Sequence, residues 1–174
     1  YMKLQKSLDA FLFCCYAGMR YSDFTNLSKK NIVDINQETW LIYKSVKTGT
    51  EVRLPLYLLF AGKGIVILNK YRNNLEDFFR LRDNSNINKD LIIIAKLAGL
   101  SKKISFHTAR HTNATLLIYN GVNITTVQKL LGHKSVKTTQ VYTNIMDMTI
   151  VHDLEKIKQA ALGIKKKTDN SFNK

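Results

Sequence analysis

His107 and Arg110 are three positions apart, and His107 and His111 are four apart, spacings that share a helix face. A guanidinium and an imidazole at a helix start, where free backbone N–H groups already favour an anion, make a phosphate site. Leu130-Leu131-Gly132-His133 puts a second imidazole directly after a helix stop, and Tyr142 follows nine residues later in a small polar run. Upstream, Arg20 follows Ala17-Gly18-Met19 at a helix end, with Asp23 three residues on, and Lys47 precedes the Thr48-Gly49 turn. Each group has a plainer reading when taken alone. His107 and Arg110 can be a solvated helix end, His133 a C-capping histidine, Tyr142 a core or interface tyrosine, Arg20 a salt bridge to Asp23, and Lys47 a solvated lysine.

Other chemistries fit less well. His107, His111 and His133 have metal-like spacing. However, Arg110 stands between the first two, and there is no Asp or Glu from Leu91 to Met146 to complete a site. No metal and no cofactor is expected, since Gly62-Lys63-Gly64 is too short for a dinucleotide or Walker motif. Cys14 and Cys15 are adjacent and make a poor disulfide, which suggests a reducing, cytoplasmic setting. The longest apolar runs, such as Ala10 to Ala17, are too short to cross a bilayer. Lys plus Arg number 27 against 13 Asp plus Glu, a net charge of +14, which calls for a polyanionic partner. The acid-free stretch from Leu91 to Met146 holds seven basic residues, Lys102, Lys103, Lys134 and Lys137 among them. It contains no basic amphipathic helix, so a nucleic-acid backbone is the better partner than a membrane.

The elements that must position these groups read as follows. Leu4, Leu8, Phe11, Leu12 and Cys15 give a first helix over 4–16, and Ser22 is the expected N-cap of a short second one. Residues 32–35, 39–43 and 51–54 read as strands, stopped by Pro55. Helical pieces over 56–60 and 65–72, interrupted by Gly62 and Gly64, precede a loop at 83–86 and a helix over 88–98. Ser105 caps a helix running to Asn120. Further helices follow over 124–131, 135–142 and 149–162, the last with Ile150, Leu154, Ile157 and Ala161 on one stripe. The fold class is therefore α+β, mainly α-helical, with a small three-stranded antiparallel sheet near residues 31–54. The basic and polar tail at 165–174 is expected to be disordered.

Taken together, Ala17-Gly18-Met19-Arg20, Lys47 on a hairpin, His107-Thr108-Ala109-Arg110-His111, Leu131-Gly132-His133 and Tyr142 resemble the catalytic domain of tyrosine recombinases, the phage integrase family. The resemblance runs from Leu4 to about Leu162. Tyr21-Ser22-Asp23-Phe24 is similar to the family's segment after its first arginine, while Ala109 departs from a position often filled by a larger residue. The resemblance implies that the Tyr142 hydroxyl cleaves DNA through a 3′-phosphotyrosyl link, freeing a 5′-hydroxyl, and that strands rejoin without ATP or metal. Arg20 and Arg110 would hold the non-bridging oxygens, His133 would donate to the phosphate, His107 would take the phenol proton, and Lys47 would protonate the leaving oxygen. Asp23 would orient Arg20 from behind, with His111 also in support. Lys102, Lys103, Lys134 and Lys137 are expected on the DNA backbone.

The resemblance further implies a catalytic domain over residues 1–164, without the DNA-clamp domain that usually precedes it. The chain then reads as a fragment of a mobile-element integrase. Double-stranded DNA would be its partner and a homotetramer its working form, with the 149–162 helix docked on a neighbour or on its own domain. Two rivals remain. Residues 124–142 also resemble a helix-turn-helix, so a non-enzymatic DNA-binding module explains the charge but leaves Arg20 and Lys47 without a role. A metal-free nuclease would leave Tyr142 idle.

Overall fold

A computed structural model describes residues 2–142 together with residues 154, 155 and 158. The expected helix over 149–162 lies, save for those three positions, outside the described residues, as does the tail at 165–174. Helix α1 (Met2–Ala17) runs through the centre and is followed by α2 (Tyr21–Thr25). Strands β1 (Ile32–Ile35), β2 (Glu38–Lys44) and β3 (Glu51–Pro55) come next. After them follow α3 (Lys63–Lys70), α4 (Leu75–Phe79), α5 (Asn84–Leu97), α6 (Phe106–Tyr119), α7 (Ile124–Leu131) and α8 (Val136–Gln140). The strands form one antiparallel sheet in the order β1-β2-β3, with Ile32 opposite Leu41 and Tyr43 opposite Val52. No helix among the described residues is long and apolar enough to cross a membrane.

The first helix forms where expected, but a different face is deepest. Ala10, Phe13, Cys14 and Ala17 are buried, while Leu4, Leu8, Phe11 and Leu12 are only half-buried. The reason is that α3, α5 and α6 pack around α1, so it is covered on several sides instead of one stripe. Phe13, Phe24, Phe78, Phe79 and Phe106 are fully buried and meet edge-on or tilted, for example Phe24 and Phe78 at 5.3 Å. Truncating any of them to Ala costs roughly 3–5 kcal/mol. Buried carboxylates tie α1 outward: Asp9 accepts from Lys70 and Tyr71, and Asp90 accepts from Ser7.

Four local expectations are corrected. Ser22 is not an N-cap, because α2 starts at Tyr21 after an extended Arg20, which brings Asp23 into the first turn beside that arginine. In place of the 56–60 helix there is a turn and then a 3-10 helix, Leu59–Gly62. Phe60, Ala61 and Gly62 form a left-handed turn with φ of 49°, 53° and 71°, and packing of Phe60 on Tyr16 offsets the strain. Gly64 does not interrupt a helix. It lies inside α3, where it faces the Phe13 ring. The 83–86 loop is instead a cap and first turn: Asp83 accepts from Asn86 N–H at 3.0 Å, and α5 begins at Asn84. Short polar residues suit both a loop and a helix start, so composition does not separate them.

Candidate active site

The end of α1 is held by α6. Asn113 donates from Nδ2 to the free carbonyls of Cys15 and Tyr16, both at 3.0 Å. Gly18 then turns the chain with φ +68°, and a Cβ there would sit 2.6 Å from Asn113 Oδ1, so no side chain fits. One turn earlier on α6, Arg110 donates from Nη1 to Gly18 O at 2.7 Å and from Nη2 to Leu131 O at 2.6 Å. Its side chain is 1% exposed and clasps α1, α6 and α7 together. Burial, then the charge of Arg20, pulls the Arg110 guanidinium down to about 10, still charged at neutral pH. Arg20 follows the Gly18 turn and lies half-buried. Its Nη1 donates to Ser45 Oγ at 3.3 Å and to Asp23 Oδ2 at 3.4 Å. Asp23 is 1% exposed and also accepts from Val46 N–H at 2.8 Å, which ties Arg20 to the start of the β2–β3 turn.

That turn carries Lys47 at its exposed tip. Thr48 Oγ1 donates to Gly132 O at 3.1 Å and fastens the tip to the end of α7. Gly132 has φ +62°, and its own Cβ would stand 2.6 Å from Val52 Cγ2, so strand and helix end meet only at a glycine. The amides of Gly132 and His133 close the helix on Lys129 O and Gln128 O, a Schellman motif. This stop aims His133 inward, where Nδ1 meets Thr139 Oγ1 at 2.9 Å. His133 is 7% exposed. Burial, followed by the charges of Arg110 and Arg20, pulls it down to about 4, so it is neutral near pH 7.

Tyr142 is 6% exposed, yet two imidazoles border its ring. The His111 ring meets it edge-on at 5.2 Å, and the His133 ring lies parallel to it at 6.5 Å. His107 in turn meets His111 at 4.5 Å. Burial and then His111, Arg110, Arg20 and Lys47 hold His107 below the usual histidine value. Ring contacts thus link His107, His111, Tyr142 and His133, the charges of Arg20 and Arg110 act on His107 and His133, Lys47 acts on His107, and Asp23 pairs with Arg20. The lysines expected to meet a DNA backbone are spread more widely. Lys134 lines a groove of about 580 Å³ with His133, Arg53 and Lys129, and Lys137 is exposed on α8. Lys102 and Lys103 line a separate groove with Ile92 and Leu100. Among the described residues no cluster of three His, Cys, Asp or Glu side chains is arranged for a metal.

Asn113, Ser45, Thr48 and Thr139 also belong to this framework, and sequence reasoning missed them. Asn113 left one readable sign, a polar side chain beside Ala109 and Ala114 on the apolar face of α6. The other three leave none, because their partners are distant in sequence or are backbone atoms.

A model of the phage integrase family matches residues 5–148. The chain belongs to the phage integrase family. Within the phage integrase family, the tyrosine recombinase XerC of Rickettsia prowazekii (strain Madrid E) is 30% identical over 159 residues, covering 86% of this chain and 49% of that protein. The tyrosine recombinase XerA of Saccharolobus solfataricus (strain ATCC 35092 / DSM 1617 / JCM 11322 / P2) is 34% identical over 134 residues, covering 74% of this chain and 42% of that protein. The chain therefore spans about half the length of the curated relatives it matches. A crystal structure of XerA recombinase matches with a TM-score of 0.66 and 25% identity, over 87% of this chain and 62% of that one. XerH site-specific recombinase bound to palindromic difH substrate, in a post-cleavage complex, has the same fold: TM-score 0.63 and 21% identity, over 91% of this chain and 52% of that one.

Proposed function

We propose that residues 1–164 form the catalytic domain of a site-specific DNA recombinase that cuts and rejoins double-stranded DNA through Tyr142. The observation that carries this reading is the Tyr142 ring bordered by the His111 and His133 rings and close enough to Arg110 to act on its charge. In this reading Tyr142 Oη attacks the phosphorus and the P–O5′ bond breaks. The phenol proton passes to His107, whose affinity for a proton is held below the usual histidine value, which favours the neutral form that can accept it. Lys47 gives a proton to the leaving 5′-oxygen. Arg20 and the remaining donors of Arg110 face the two non-bridging oxygens, where negative charge grows. In the tautomer in which the Thr139 hydroxyl donates to His133 Nδ1, Nε2 carries the proton that this reading gives to the phosphate. The phosphotyrosine conserves the bond energy, and attack by a 5′-hydroxyl reverses the step. Lys102, Lys103, Lys134 and Lys137 contact the backbone, and four copies assemble on two DNA sites.

The test is a pool of end-labelled nicked duplexes of randomised sequence, in which the nick lets the short fragment that carries the freed 5′-hydroxyl escape. A protein–DNA adduct on a denaturing gel, insensitive to chelator and lost in Tyr142→Phe, is the expected result. Free ends without an adduct would indicate a nuclease. Retention of DNA with neither product would indicate a binding module.

A further inference from the structure

Strand β2 hides a polar atom that the mechanism above does not use. Leu41, Tyr43 and Ser45 alternate along one line of chain and are all buried, so Tyr43 and Ser45 face the same side. Ser45 Oγ on that side reaches Asp23 Oδ2 at 3.4 Å. Tyr43 is 5% exposed, and among the described residues its hydroxyl has no hydrogen-bond partner. A buried hydroxyl in this state destabilises the protein, and native folds seldom keep one without cause.

Asp23 shows the complementary weakness. Among the described residues its Oδ2 is served only by Arg20 and Ser45, at 3.4 Å from each, whereas a charged pair at full strength closes to about 2.7–2.9 Å. Arg20 is thus held loosely and can turn to a phosphate. When it does, a buried carboxylate loses its cation, which is costly unless another donor arrives. Burial and then the charge of Asp23 push the Tyr43 phenol above the usual tyrosine range, so Asp23 acts on it more strongly than any other charged group.

We propose that Tyr43 is a positioning residue whose hydroxyl is a reserve donor, taking up Asp23 Oδ2 when Arg20 turns from Asp23 to the scissile phosphate. This rests on the recombinase reading above. Among the described residues the free protein carries one unsatisfied buried hydroxyl, and the DNA-bound protein cures it with the bond that releases Arg20. The effect of DNA on Arg20 is thereby coupled to a side chain that never touches DNA.

The sign of the expected result separates this from a packing role. Tyr43→Phe removes the unsatisfied oxygen and keeps the ring, so the free protein should melt at the same temperature or higher. Single-turnover adduct formation on the nicked pool should slow tenfold or more, with DNA affinity within twofold of wild type. In an Asp23→Asn background the same substitution should change the rate less than threefold, because the acceptor charge is gone. Adduct formation within twofold of wild type would overturn the proposal and leave the recombinase reading intact. Parallel losses of melting temperature and rate would overturn it too, as the mark of simple packing. If wild type forms no Tyr142-dependent adduct at all, the recombinase reading itself fails and takes this inference with it.

Discussion

His133 shows how one side chain's chemistry is set by its surroundings. In water an imidazole titrates near 6.5, but here burial and two arginines hold it at about 4. The consequence for stability has a definite sign. Between pH 6.5 and 4 the unfolded chain binds a proton at this residue that the folded chain does not. Stability is therefore full above about pH 6.5 and falls as the pH drops through that window. By pH 5 the loss is about 2 kcal/mol. His107 is also held low and acts in the same direction, so the wild-type slope contains both. Urea unfolding of wild type and His133→Gln at pH 7.5 and pH 5.0 checks this. The variant should lose less on acidification, by about 2 kcal/mol. Identical pH dependence would mean that His133 is not held neutral by its neighbours. The same neutrality suits a group that donates a hydrogen bond and keeps its proton.

At the scale of elements, the junction of α7 with β3 places His133 and fastens the turn that carries Lys47, and Gly132 is its weak point. Alanine there meets two costs: a left-handed φ worth about 1–2 kcal/mol and a Cβ 2.6 Å from Val52 Cγ2. Gly132→Ala should lower stability by roughly 2–4 kcal/mol and weaken the anchoring of Lys47, since Thr48 is bonded to Gly132 O. Adding Val52→Ala removes the clash but not the φ strain, so the double variant should lose less than the two single losses added together. Chemical denaturation of the four proteins measures this, and strict additivity would show that the contact does not matter. Gly132 was legible in the sequence as a helix stop, as were the Ser105 start of α6 and the three strands, because each depends on local backbone preference. Helix α4 was not legible: its five residues are too few to show a period. Arg20, His107, Arg110, His133 and Tyr142 were singled out by their joint resemblance to the family's motifs, each having a plainer reading when taken alone. Arg110 as a clasp did not, nor did Asn113, Ser45 or Tyr43, because their work depends on partners brought together only by folding. Asn113 and Cys15 are 98 positions apart.

The whole molecule carries a net charge of +14, and that charge acts in opposite directions on folding and on binding. Only five ion pairs are formed among the described residues, so most cations face one another across solvent. Self-repulsion then opposes the compact state, and added salt relieves it. Raising NaCl from 50 to 200 mM should therefore increase the melting temperature of the free protein by a few degrees, equivalent to about 1 kcal/mol. The same salt should weaken DNA binding, because each neutralised phosphate releases counterions. If Arg20, Lys47, Lys102, Lys103, Lys134 and Lys137 each meet one phosphate, log K against log salt falls with a slope of about −5, close to a thousandfold over this range. Titrating a labelled duplex at several salt concentrations gives the slope directly. Lys102→Gln with Lys103→Gln should reduce its magnitude by about 2, with the adduct rate at saturating DNA unaltered, since neither lysine lies in the Tyr142 pocket. An unchanged slope would place the groove with Ile92 and Leu100 off the DNA, and the duplex would then run along the α7–α8 side, past Lys134 and Lys137 alone.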